Sequence, residues 1–103
     1  MEGLELISFQ IISAVGTARS CYIEAIAAAR EGDYEKAQEL ISQGEEFFNQ
    51  GHHCHASLIQ KEASGEHVEF QILLMHAEDQ LMSAEEFVIL AKEFIETYKK
   101  INK

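Results

Sequence analysis

Leu73-Leu74-Met75-His76-Ala77-Glu78-Asp79-Gln80-Leu81-Met82 is an apolar run that carries one imidazole and one carboxylate three residues apart. Its apolar positions step by three and four, the period of a helix, with no strand-like alternation. On a helix, residues i and i+3 or i+4 share a face. His76, Asp79, Gln80 and Ser83 therefore form a polar strip beside Leu73, Ala77, Leu81 and Ala84. Polar groups this close to an apolar seam are costly to bury unless something pairs them. The run both defines a helix and marks it as the best candidate for chemistry.

Followed towards the C-terminus, the same seam continues through Val88, Ala91, Ile95 and Tyr98, and a second stripe of Phe87, Leu90 and Phe94 runs beside it. The sequence predicts a helix from about 67 to 100, closed by Lys99, Lys100 and Lys103, the favourable sign for a helix C-terminus. Upstream, Ala63-Ser64-Gly65-Glu66 is a break. Before it, Ala37, Ile41, Gly44, Phe48, Gly51, His55 and Leu58 make the seam of a helix from about 34 to 63. Gly44 and Gly51 flank Phe48 on that seam and leave room for bulky side chains of a neighbour. Gly32-Asp33 is the other break, with Gly32 suited to end one helix and Asp33 to cap the next. The first helix runs from about 3 to 31, with Leu4, Ile7, Ile11, Ala14, Ala18, Cys21, Ala25 and Ala28 as its seam. Gly16 lies inside it, where a glycine costs ~1 kcal/mol relative to alanine; a close backbone approach is the expected reason.

Three helices of about 30 residues, each ~45 Å long at 1.5 Å per residue, form an all-α, up-down-up three-helix bundle joined by tight turns. The chain has 103 residues and is expected to be a single domain over 1–103. The third helix is apolar over too wide an arc for two neighbours. It is expected to pack against copies of itself about a symmetry axis.

Composition narrows the function. A formal charge of −10 argues against nonspecific binding to nucleic acid or to an anionic membrane surface. No run reaches the ~18 apolar residues of a membrane span, and the N-terminus lacks a signal-peptide pattern. Cys21 and Cys54 fall within apolar helical patterns and read as reduced core thiols, as in a cytoplasmic protein. Gly-rich phosphate loops, GxSxG and HExxH are absent. A bundle of straight helices offers little concave space, so a reaction on a partner protein's surface is favoured.

Each candidate residue has a plain alternative. A histidine at the edge of an apolar face is ordinarily a structural residue; as a functional one, His76 is a nucleophile or metal ligand. Gln80, one turn on, is able to donate an amide hydrogen bond towards a group held on His76. Asp79 is either an ordinary exposed acid or one of several carboxylates converging on a symmetry axis. In the second case the repulsion is relieved by shared protons or a hard divalent cation. His52-His53-Cys54-His55 suggests zinc by composition, but consecutive residues point around a helix and cannot converge on one ion. It reads as a mixed solvent-facing and seam-facing segment.

Three stretches, Gly16-Thr17-Ala18-Arg19-Ser20, Leu58-Ile59-Gln60-Lys61-Glu62-Ala63-Ser64-Gly65-Glu66 and above all Leu73–Met82, give the chain a resemblance. It resembles the IIA component of the lactose/cellobiose (N,N′-diacetylchitobiose) type in the bacterial phosphoenolpyruvate-dependent sugar phosphotransferase system. The resemblance spans essentially the whole chain. It implies a homotrimer of nine helices and a His76 that accepts a phosphoryl group from the phosphocarrier HPr. It further implies transfer to a cysteine of the IIB component, and a divalent metal, typically magnesium, bound by Asp79 at the trimer axis. The family often has a second histidine where this chain has Gln80, which makes Gln80 a candidate phosphate contact. The rival reading, from a different class, is a non-catalytic helical bundle that binds or regulates a partner.

Overall fold

A computed structural model describes residues 3–102 of the chain. Three helices follow in order: α1 over Gly3–Arg30, α2 over Tyr34–Ala63 and α3 over Ile72–Ile101. There is no strand among the described residues. The α1–α2 turn is as tight as expected. Gly32 takes φ +84°, and the Gly32 and Asp33 amides donate back to Ala29 and Ala28 carbonyls at 3.0 and 2.9 Å. This left-handed helix stop favours glycine because a Cβ would be strained there. Asp33 then caps α2, its Oδ1 accepting from the Lys36 amide at 3.1 Å.

The second connection differs from expectation. α2 ends at Ala63; two residues on, Gly65 takes φ +94°, and the Glu66 amide donates to the Lys61 carbonyl at 3.0 Å. Yet α3 starts at Ile72 rather than near residue 67. Residues 66–71 are not helical, and Gln71 is extended with no side-chain cap bond. The physical reason lies in the composition of the segment. No capping residue follows Gly65, and non-helical backbone lets half-buried Val68 line a groove at the bundle end with Leu4, Ile7 and Leu58.

The predicted seams supply most of the core, and in α1 Val15, Tyr22 and Ala29 beside the seam are buried as well. Ala18, Tyr22, Ala25 and Ala29 of α1 pack with Ala37 and Ile41 of α2 and with Ala91 and Ile95 of α3. A second cluster joins Ile11 and Val15 to Ala77, Leu81 and Ala84. The glycines of α2 do what their spacing suggested. A Cβ on Gly44 would run into the Tyr22 ring, and one on Gly51 would lie 2.7 Å from Val15 Cγ1. Gly16 does not follow suit: it is exposed, and nothing within 4 Å would meet an added Cβ.

The three helices do not share contacts equally. α1 packs along both others, whereas α2 and α3 meet over a much smaller surface. By length and mean hydropathy α1 is also long and apolar enough to cross a membrane, a test that core helices pass too; here it is the helix about which the bundle packs. The result is a rod of 55 × 24 × 19 Å. Its radius of gyration is 16.1 Å, against ~13 Å for a compact domain of this length. A rod leaves more surface uncovered, and α3 bears most of the consequence. Its Met82, Ile89, Leu90, Phe94 and Ile101 all remain exposed.

Candidate functional site

His76 and Gln80 lie one turn apart on the first half of α3, among residues placed by the Leu73, Ala77, Leu81 and Ala84 seam. Three of those seam residues are buried and Leu73 is half-buried, so the helix face opposite them is fixed outward. His76 is exposed, and so are its neighbours Ile72 and Met75. It has no hydrogen-bond or ion-pair partner among the described residues. An imidazole left free at the surface of a rigid helix keeps a ring nitrogen available as a nucleophile.

Gln80 is half-buried and held from across the bundle. Arg19 of α1 donates from Nη1 to Gln80 Oε1 at 2.8 Å. Arg19 is the residue that sequence reasoning missed. Beside its seam α1 carries a further partial apolar stripe of Ile12, Val15, Tyr22 and Ile26, and Arg19 occupies the place between Val15 and Tyr22. A guanidinium in an apolar register was the available signal that it faces a partner. Its Nε is buried with no partner among the described residues.

Asp79 is exposed in the single chain. The apolar stripe beside it is open within one copy: Phe87 is half-buried against the core, but Leu90 is 56% and Phe94 49% exposed. Asp79 therefore sits in the polar gap of an open apolar face. No group of three or more His, Cys, Asp or Glu side chains converges among the described residues.

The other histidines are engaged or placed elsewhere. His55 Nε2 and Glu78 Oε2 are 2.6 Å apart, tying α2 to α3. His52 stacks on Phe48 with ring centroids 6.0 Å apart. His52 and His53 are exposed while Cys54 and His55 are half-buried, so the run mixes solvent-facing and seam-facing residues as expected. His67 is in the non-helical connection. Both cysteines are free; burial, then the nearby Glu24 carboxylate, push the Cys21 thiol above its ordinary range.

Fold and site together define an all-helical protein whose α3 offers an exposed imidazole with an anchored amide one turn away. The family "PTS system, Lactose/Cellobiose specific IIA subunit" matches residues 6–99, and the chain belongs to it. It is similar to the oligo-beta-mannoside-specific EIIA component of Bacillus subtilis, with 44% identity over 98 residues, covering 95% of this chain and 89% of that protein. It is 36% identical over 99 residues to the lactose-specific EIIA component of Staphylococcus aureus, covering 96% of each. Among solved structures, the cellobiose-specific enzyme IIA of Bacillus anthracis superposes with a TM-score of 0.94 at 42% identity, covering 99% of this chain and 94% of that one. The chain is thus a IIA component of a lactose/cellobiose-type sugar phosphotransferase system, a phosphotransferase component that carries phosphoryl groups between proteins.

Proposed function

We propose that His76 is the residue that carries the phosphoryl group. HPr is the donor and a cysteine of the IIB component the acceptor, for uptake of a lactose-, cellobiose- or chitobiose-type disaccharide in the cytoplasm. The observation that carries this reading is the exposed, unpartnered imidazole on α3 one turn from an anchored amide. In the first step a neutral ring nitrogen of His76 gives its lone pair to phosphorus. The donor's bond to phosphorus breaks, and the donor keeps that electron pair. In the second, the IIB thiolate attacks the same phosphorus, and the P–N bond electrons return to the imidazole. Such transfer is mostly positioning and management of charge on the phosphoryl oxygens. Exposed Ile72 and Met75 beside His76 give a protein partner an apolar surface to seat on.

The working form in this reading is a homotrimer in which the open face of α3 is closed by two other copies. Support comes from the apolar arc of α3, exposed at Met82, Leu90 and Phe94. Each chain presents one Asp79 carboxylate and no converging set of ligands among its described residues, and in this reading the cation is held where the Asp79 carboxylates of the copies meet. Oxygen-only donors suit a hard ion such as magnesium. When bound, that ion would neutralise the converging Asp79 carboxylates.

Incubation with phosphoenolpyruvate, enzyme I and HPr tests the assignment. The expected product is an acid-labile, base-stable phosphate on the wild-type protein that is missing from His76→Ala. Absence of label from folded wild-type protein would reject the carrier assignment of His76 and favour a non-catalytic binding or regulatory bundle.

A further inference from the structure

The Arg19–Gln80 contact fixes more than the distance between α1 and α3. Arginine carries only donors, so an amide that meets it must do so with its oxygen. The 2.8 Å contact is indeed from Nη1 to Oε1. The two N–H donors on Gln80 Nε2 are then turned away from the guanidinium. Helical side chains lean towards the N-terminus and cover the turn before their own Cα. For Gln80 that is the turn of His76.

We propose that Arg19 is a positioning residue for phosphoryl transfer. It locks the Gln80 amide with its oxygen inward, so that the NH2 end faces the phosphoryl oxygens carried on His76. The proposal rests on the reading of His76 as the phosphorylated residue. Without Arg19 the amide is free to turn over. It can then turn its carbonyl oxygen towards the anionic phosphoryl group, replacing an attraction by a repulsion.

The test is a cycle of variants in which the rate of transfer from phosphorylated HPr to His76 is measured. Arg19→Met is expected to slow transfer on the order of tenfold, the loss of one hydrogen bond to a charged group. Arg19→Lys, which keeps a donor and the charge, should recover part of it. In a Gln80→Ala background, Arg19→Met should have no further effect, because Arg19 acts through the amide. If Arg19→Met slows the Gln80→Ala protein as much as wild type, Arg19 acts on the phosphoryl group or on HPr directly and the proposal is overturned. An Arg19→Met protein that transfers at the wild-type rate overturns it equally.

Gln80→Glu covers the case in which Arg19→Met fails to fold. It strengthens the link to Arg19 but removes the N–H donors, so it should fold and still lose at least about tenfold in rate; wild-type rates would overturn the proposal. Nuclear magnetic resonance supplies a readout that a purely structural role would not move. On phosphorylation, the Gln80 side-chain N–H signal should shift downfield in wild type and not in Arg19→Met, whose side chain has no donor to hold the amide. An unshifted wild-type signal counts against the proposal. A wild-type protein that takes no label on His76 refutes the site assignment itself, a separate result visible before any Arg19 variant is made.

Discussion

Gly44 and Gly16 are both helical glycines, and replacing each with alanine should move stability in opposite directions. Alanine in a helix interior gains ~1 kcal/mol over glycine from backbone entropy alone. At Gly16 nothing opposes that gain, since an added Cβ has no heavy atom within 4 Å. Gly16→Ala should therefore stabilise the protein by nearly the full ~1 kcal/mol. At Gly44 the Cβ would run into Tyr22 Cε1, 2.8 Å from Tyr22 Cδ1 and 3.1 Å from Cys21 Cβ. Tyr22 has no room to give way. It is fully buried, and its ring stacks on Phe87 with centroids 6.5 Å apart. Overpacking a core costs ~1–3 kcal/mol, and a rigid ring places this site in the upper half of that range. Set against the helix gain, Gly44→Ala should lose about 1–2 kcal/mol. Urea unfolding followed by circular dichroism measures both, at one protein concentration so that any association contributes equally. A Gly44→Ala protein as stable as wild type would refute the claim that the glycine exists to admit Tyr22. A Gly16→Ala protein that loses stability would show that something outside this chain lies against Gly16.

Burial, with smaller contributions from Glu45 and Cys21, pushes the Tyr22 hydroxyl up to about 12. The folded state then holds that proton where the unfolded chain has lost it, so stability falls as pH rises from about 10 to about 12. A spectrophotometric titration should show one of the three tyrosines ionising only as the protein unfolds; three phenols titrating together near 10 would contradict this. Asp33→Ala removes the side chain that accepts from the Lys36 amide and should cost ~1 kcal/mol in the same urea assay. Asp79→Leu should leave the proposed trimer assembled and remove its dependence on divalent cations; wild-type sedimentation unaffected by chelator would reject the metal role. Leu90→Glu together with Phe94→Glu should leave helicity intact and yield monomers at concentrations where wild type associates, because both side chains are about half exposed in one copy.

The helices were legible because their seams are long and regular. The two outer bounds of α2, the cap at Asp33 and the stop at Gly32 all follow from residue chemistry visible in the chain. The start of α3 was not, because its first turn carries no acidic residue and its cap makes no side-chain bond. Without such a signal, periodicity alone runs a helix back into residues that pack as connection. The reason for Gly44 was legible in its place on a seam; that of Gly16 was not, since openness leaves no pattern. His76, Asp79 and Gln80 were singled out as candidates through helical spacing. Arg19 was not, because its partner lies on another helix and only the folded register of α1 against α3 reveals it.

That register also accounts for where the imidazole sits. At about 100° per residue, His76 lies roughly 60° and Gln80 roughly 100° around α3 from Asp79. Beyond Gln80 the arc turns into the core at Ala84 and Ala77, both buried against α1. In the other direction lies the open apolar face with Met75 and Met82. His76 thus falls on the boundary between the face this chain covers itself and the face it leaves bare. If copies close the bare face, the imidazole is neither buried in the core nor hidden at the axis. It is left at the lip between them, with Gln80 and Arg19 behind it on the chain's own side. α2 and α3 meet over so little surface that α3 has this arc to spare, and an equilateral packing of the three helices would have covered it.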